Sequence, residues 1–341
     1  MSNRSADRWS RREFLTTVAA AGTGVVLGLR SEAIAAEPPP ETTKLRLIRG
    51  PSICQAPQTA SEELLRSEGF TDVQEVKKEG NITARIQALA SGEGDIVSTY
   101  VAPLITRIDA GDPIVILTGA HAGCFELFGT DRIRAIRDLK GKTITVTEMG
   151  GAAHLHLASI LSYVGLNPVK DVNFVTHPAA EGIRLLAEGK IDAYMAFPPD
   201  PQELRAKKIG HAILNSALDR PWSQYFCCMV AANREFVRKN PVATKRALRA
   251  ILKTANICAL ELEPIARFLV DKGYTKNYEY ALQTLKDIPY GKWREFDPED
   301  TVRFYSLRLN EIGMIKSSPQ KIISQGTDWR FLRELKKELK A

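Results

Sequence analysis

From Lys44 onward the chain alternates between short runs of period two and longer stretches of period near 3.6, the signatures of strands and helices. Lys44-Leu45-Arg46-Leu47-Ile48-Arg49 reads as a strand, followed by a loop through Pro51 and Pro57 and a helix over 60–67 that Gly69-Phe70 ends. Asp72-Val73-Gln74-Glu75-Val76 is a second strand. Asn81 then caps a helix over 82–90, and Gly92-Glu93-Gly94-Asp95-Ile96-Val97 closes the unit. About 97 residues later the same order returns. Thr143-Ile144-Thr145-Val146-Thr147 is followed by a Gly150-Gly151 loop, a helix over 152–163 stopped by Gly165-Leu166, a strand over 171–175, a helix over 180–187, and Gly189-Lys190-Ile191-Asp192-Ala193-Tyr194. Two copies of strand, helix, strand, helix, strand call for parallel sheets with right-handed crossovers. The fold class is therefore α/β, with two lobes of similar plan.

In open parallel sheets ligands lie beyond the carboxyl ends of the strands, where the strand order reverses. The loops 49–58, 98–103, 148–154 and 197–201 are thus expected to line a cleft between the lobes. Ile114-Val115-Ile116-Leu117, running on to Phe128, and Tyr225-Phe226-Cys227-Cys228-Met229-Val230 are expected to be the two crossing strands of a hinge. Beyond Asn233 the pattern is helical, punctuated by Pro241, Pro264, Pro298 and Pro319, and this tail should return over the first lobe. Residues 37–122 plus 231–341 then form lobe I and 123–230 lobe II.

With 341 residues, 44% of them hydrophobic, the chain is long enough for two cores, and its composition excludes disorder. The net charge is +7; residues 1–36 hold five Arg against three acids, which leaves +5 for the rest. Those cations are interspersed with acids along helices, so they read as solvated faces and not as a nucleic-acid surface. The first 36 residues read as an address. Ser10-Arg11-Arg12-Glu13-Phe14-Leu15 is a twin-arginine pattern, followed by a weakly apolar run to Leu29 and the small-residue site Ala33-Ile34-Ala35. The apolar run of 16 residues is short for a membrane span. A cleaved signal peptide, with a mature periplasmic protein starting near Ala36, is the expectation.

The strand-loop-helix at 45–65, Gly94-Asp95-Ile96-Val97-Ser98-Thr99, Asp138-Leu139-Lys140-Gly141-Lys142-Thr143-Ile144, Gly189-Lys190-Ile191-Asp192-Ala193 and Arg234-Glu235-Phe236-Val237 with Pro241 are together similar to ABC-transporter substrate-binding proteins. The chain resembles the nitrate/sulfonate/taurine-binding type together with the thiamine-pyrimidine-precursor-binding type, over nearly all of 44–315. The resemblance implies the two-lobed type II periplasmic binding protein fold, with each lobe a mainly parallel sheet flanked by helices. The lobes close on a ligand about a two-strand hinge.

The cleft chemistry follows from the loops. Gly150-Gly151 leads into a helix and Ser98-Thr99 is read as the start of another, so both offer free N–H groups and a positive dipole end to an anionic or polar group. Arg49 would add a charged hydrogen bond. Tyr100, Phe197, Trp222 and Tyr225 are candidates for stacking on a flat ligand. His121, beside Gly123-Cys124, is a candidate contact, whereas His154 and His156 are spaced poorly for a metal and His177 and His211 read as surface or loop residues. The candidate ligand-binding set is Arg49, Ser52, Cys54, Gln55, Ser98, Thr99, Tyr100, His121, Glu148, Gly150, Gly151, His154, Phe197 and Trp222; no catalytic residue, metal or cofactor is expected. The five cysteines, 54, 124, 227, 228 and 258, are expected to be buried inert thiols, with a Cys124 disulfide to Cys227 or Cys228 and a soft-metal cluster with His121 as alternatives.

No Gly-x-Ser-x-Gly or His-Glu-x-x-His is present, and Gly141-Lys142-Thr143 lacks the earlier Gly of a phosphate loop because Ile136 stands there. The leading reading is a monomeric binding protein without turnover. It captures a small polar or anionic solute (sulfonate-, nitrate- or taurine-like, or pyrimidine-like) and passes it to an inner-membrane ABC permease and its ATPase. The alternatives are an enzyme similar to thiamine-pyrimidine synthases, whose Cys-rich loop Cys227-Cys228 faintly resembles, and an accessory protein serving a membrane sensor.

Overall fold

The structure, a computed structural model, describes residues 37–50, 52–78 and 81–339. The signal-peptide reading at 1–36 lies outside them. In chain order, β1 (Lys44–Arg49), α1 (Ala56–Thr59), α2 (Glu62–Ser67), β2 (Asp72–Lys77), α3 (Ile82–Ala90), β3 (Ile96–Tyr100), α4 (Val101–Asp109) and β4 (Ile114–Ala122) form the first run. The second run is β5 (Glu126–Gly129), β6 (Thr143–Val146), α5 (Ala152–Tyr163), β7 (Asn173–Thr176), α6 (Ala179–Ala187), β8 (Ala193–Ala196), α7 (Asp200–Lys207) and β9 (His211–Asn215). β10 (Phe226–Asn233) leads into α8 (Arg234–Lys239), α9 (Pro241–Leu260), α10 (Leu262–Asp271), α11 (Tyr278–Asp287), α12 (Pro298–Glu311), α13 (Pro319–Gly326) and α14 (Arg330–Glu338).

The strands make two five-stranded sheets, in the orders β2-β1-β3-β10-β4 and β7-β6-β8-β5-β9. Each is mostly parallel, with one antiparallel member, β10 or β5, in the fourth place. The repeat is thus a repeat of topology, and in both copies the strand order reverses on either side of the central strands, β1/β3 and β6/β8. Both sheets belong to one compact unit that begins at Pro39. The tail covers the first sheet: α9 packs on α1, α2 and β4, α13 and α14 also meet β4, and α12 lies along both α4 and α5.

One acid in each copy ties its two central strands together. Asp95 accepts the Arg46 N–H at 2.7 Å and returns its own N–H to the Arg46 carbonyl at 2.8 Å. Asp192 does the same for Thr143, at 3.0 and 2.8 Å. The Gly-x-x-Asp run preceding each third strand, Gly92 to Asp95 and Gly189 to Asp192, is therefore a clasp on the first strand of its copy.

Several local expectations are corrected. The helix read over 60–67 breaks at Ala60-Ser61, because the Ser61 hydroxyl donates to the Gln58 carbonyl at 2.7 Å and competes for an acceptor that a continuous helix would use. Ser98 and Thr99 do not begin a helix: they are buried members of β3, and the residue preceding α4 is Tyr100. Asn81 caps α3 as read, accepting the Ala84 N–H at 2.9 Å. Between β4 and β5 the chain turns at Gly123 with φ of +56°, where a Cβ would fall 2.3 Å from the Ala217 backbone, so only glycine fits.

Candidate functional site

The carboxyl ends of the four central strands converge on one cavity of about 510 Å³. From the first sheet come Ser52, Cys54 and Gln55, in the turn after β1, and Thr99 and Tyr100 at the end of β3. From the second come Thr147 and Glu148 after β6, Ala152 at the first turn of α5, and Phe197 after β8. The starts of α3, α4 and α5 all point here, so the wall carries amide N–H groups from both halves of the molecule.

Charge enters the cavity from opposite sides. Arg85, one turn into α3, lines it, and burial holds its guanidinium below the usual arginine range while Glu148 opposes that shift. Burial raises the Glu148 carboxyl, offset by the Ile82 N–H, the Thr83 hydroxyl at 3.4 Å and Arg85. Glu148, a residue of the second half, thus rests on the start of α3 in the first, the position that a helix dipole prefers for an anion.

The remaining wall is aromatic and sulfur-rich. Tyr100 donates its hydroxyl to His156 Nδ1 at 2.8 Å, and the same ring meets Phe125 edge-on at 5.1 Å. A carbon-lined interior pulls the His156 pKa down to about 3, so the imidazole is neutral and accepts this bond. Phe125 stacks on His156 at 4.7 Å and meets Phe197 at 6.1 Å. Cys54, Cys124, Cys227 and Cys228 also line the cavity. Consecutive strand residues ordinarily face opposite sides, but the register slips between Phe226 and Cys228, where Phe226 pairs with Ala122 and Cys228 with His121. That bulge lets Cys227 and Cys228 share one cavity.

All five cysteines are free thiols and buried, so neither Cys124 disulfide considered from the sequence is formed. Cys54 Sγ lies 3.8 Å from Cys228 Sγ and 3.0 Å from the Ser52 hydroxyl. Hydrogen bonds from Cys124, Cys227 and Cys54, with the His121 charge behind them, hold the Cys228 thiol well below its ordinary range. Burial is the largest single influence on His121 and pulls it down, but the Cys228 and Cys54 sulfurs together outweigh it and carry the imidazole well above its usual range.

Of the fourteen residues singled out from sequence, Ser52, Cys54, Gln55, Thr99, Tyr100, Glu148 and Phe197 line the cavity. The others do not. Arg49 turns to the outer face, where it lies 4.0 Å over the Tyr274 ring and bonds Glu75 and the Lys272 carbonyl. Ser98 is enclosed in β3, its N–H donating to Gln58. His121 stands fully buried behind the cysteines. Gly151 precedes α5, and the Gly150 N–H donates to His154 Nδ1 at 3.1 Å, which keeps His154 at the rim, edge-on to Phe174. Trp222 packs edge-on to Tyr163, away from the cavity. Sequence reasoning missed Arg85, Phe125 and Thr147. For Arg85 a signal existed, since it falls on the apolar stripe Ile82, Ile86, Leu89 of α3, where a cation is out of place unless it has a partner.

The same architecture recurs in solved structures. The periplasmic nitrate-binding protein NrtA from Synechocystis PCC 6803 superposes with a TM-score of 0.70 at 17% identity, over 88% of this chain and 90% of its own. The periplasmic aliphatic sulphonate binding protein SsuA from Escherichia coli gives 0.66 at 17%, over 85% and 94%. The desulfurization enzyme DSZB gives 0.62 at 14%, over 86% and 99%. The fold is that of the periplasmic binding proteins, and it carries an enzyme as well as binding proteins. No curated protein matches the sequence. The NMT1-like family profile matches residues 38–267. With that match spanning well over half its length, the chain belongs to the NMT1-like family.

Proposed function

We propose that the protein is the periplasmic solute-binding component of an ABC importer, exported by the twin-arginine route, and that it works as a monomer. It captures a small polar or anionic organic solute between its lobes and delivers it, unchanged, to an inner-membrane permease driven by an ATPase. Lobe I is 37–122 plus 231–341 and lobe II is 123–230, joined where β4 runs into β5 and where β10 returns. The observation that carries this reading is the single cavity on which the switch points of both sheets and three helix starts converge. Its volume suits a small molecule, its aromatic wall suits an apolar body, and Arg85 with the helix starts suits an anionic end. NrtA and SsuA, which share the fold, are named for nitrate and for aliphatic sulphonates, both anions.

The test is thermal-shift screening of the purified protein against nitrate, taurine and alkanesulfonates, aromatic acids and pyrimidines. A true ligand at 100 times its dissociation constant should add about 2.7 kcal/mol of stability. Arg85→Ala should then weaken the best ligand by at least ~10-fold, about 1.4 kcal/mol, and the ligand should be recovered chemically intact. Absence of a shift from every class, or conversion of the ligand, would remove the proposal.

A further inference from the structure

We infer that Cys54, His121 and Cys228 form a site for a soft divalent d10 cation of the zinc class, at the base of the cleft and with one coordination position open to the cavity. The three residues come from distant parts of the chain, namely the turn after β1, β4 and β10, and the sheet register sets Cys228 directly opposite His121. Their donor atoms all lie within 4.8 Å of one another.

The sulfur spacing agrees with a filled site. Two thiolates at about 2.3 Å from a tetrahedral ion stand about 3.8 Å apart. Cys54 Sγ and Cys228 Sγ are 3.8 Å apart. A disulfide would require little more than about 2 Å.

The histidine is oriented as a metal ligand would be. Its Nδ1 lies 3.2 Å from the Ala122 carbonyl and 3.3 Å from that of Gly123. Carbonyl oxygens only accept, so Nδ1 carries the hydrogen and a neutral ring would leave the lone pair on Nε2. That atom is fully buried and has no hydrogen-bond partner. A buried nitrogen without a partner is costly, whereas a backbone carbonyl holding the far side of a ligating imidazole is the usual second contact of such sites. Tyr290 fixes the remaining freedom, meeting the His121 ring edge-on at 5.2 Å and donating its hydroxyl to the Cys54 carbonyl at 3.2 Å.

Charge and polarisability select the ion. Two thiolates neutralise a divalent cation, and a neutral cluster is the form that so dry a site favours. Sulfur with imidazole nitrogen favours the zinc class over magnesium or calcium, which take oxygen. Cys54 and Cys228 line the cavity while His121 stands behind them, so the fourth position faces the cleft. This site is independent of what the cleft carries, and either reading can fail alone.

The experiment titrates the purified full chain, reduced and freed of metal, with Co(II). One equivalent should give thiolate-to-cobalt charge-transfer absorption and the intense visible bands of a tetrahedral ion, and Zn(II) should displace it. Cys54→Ser and Cys228→Ser should each weaken binding at least ~100-fold, while Cys258→Ser, buried on α9 outside the cluster, should leave it within about twofold. X-ray absorption of the zinc-loaded wild type should show two sulfurs near 2.3 Å. Failure to bind one equivalent, a shell of oxygen and nitrogen alone, or undiminished binding in both serine variants would overturn the assignment.

Discussion

Asp200 shows what burial does to a single residue when its partner is neutral. It opens α7 with its carboxylate accepting the Tyr194 hydroxyl at 2.5 Å, and burial raises its pKa from 3.8 to about 6, against the lowering effect of that hydrogen bond. The folded pKa lies above the unfolded one, so folding takes up a proton. The contribution is complete below about pH 4 and is lost as pH rises through about 6. Two pKa units correspond to about 3 kcal/mol. Asp200→Asn keeps an acceptor for Tyr194 and removes the titration. Urea unfolding should therefore show the wild type losing up to about 3 kcal/mol relative to the variant between about pH 4 and about pH 7; parallel curves would mean that Asp200 ionises freely. At this scale the sequence is least legible. Arg49 and Arg85 are both cations near strand ends or helix starts, yet Arg49 is drawn outward by Tyr274, a residue 225 positions away, while Arg85 is drawn inward by Glu148. The one local difference is that Arg85 falls on the apolar stripe of α3 whereas Arg49 ends a strand, and neither position names its distant partner.

Elements were far more legible, because their information is local. β1 and α3 fall where the pattern puts them, since Lys44 to Leu47 alternates before the buried pair Leu47-Ile48 and Asn81 is a strong cap. The misreading of Ser98-Thr99 as a helix start has a physical origin: cap residues and small polar strand residues are of the same types, and only the enclosure of β3 between β1 and β10 decides between them. The clasp on each central strand gives a test at this scale. Asp95 is 3% exposed and also grips the Arg46 side chain at 2.5 Å, whereas the side-chain partner of Asp192, Arg132, is largely solvated. Asp95→Ala leaves a strand N–H and a half-buried guanidinium without their acceptor, a loss of about 2–4 kcal/mol; Asp192→Ala leaves mainly the N–H, about 1–2 kcal/mol. Denaturant midpoints should rank the variants in that order, and equal losses would mean that the two copies are clasped alike.

For the molecule as a whole the question is what holds the two halves about the cavity. Besides the strand crossings, α7 of the second half meets α11 of the tail: Gln202 donates to Asp287 at 3.0 Å, and Arg205 joins Asp287 to the buried Glu126. Glu148 on the start of α3 is a second bridge, on the cavity side. If the halves close on a ligand as proposed, a bridge outside the cavity such as Arg205–Asp287 adds to whichever arrangement makes it and biases opening against closing without touching the ligand. Asp287 is the informative position, because Glu126 keeps Arg205 as its partner when Asp287 is removed. A partly exposed bridge contributes about 1 kcal/mol. Asp287→Ala should therefore lower the unfolding free energy by no more than about 1 kcal/mol, while ligand dissociation becomes about fivefold faster and the scattering radius of the ligand-free protein grows. Stopped-flow release of the best ligand from the screen, with small-angle scattering beside it, separates this from simple destabilisation. A lowered midpoint with an unchanged off-rate would make the α7–α11 contact a structural tie with no part in the proposed closure.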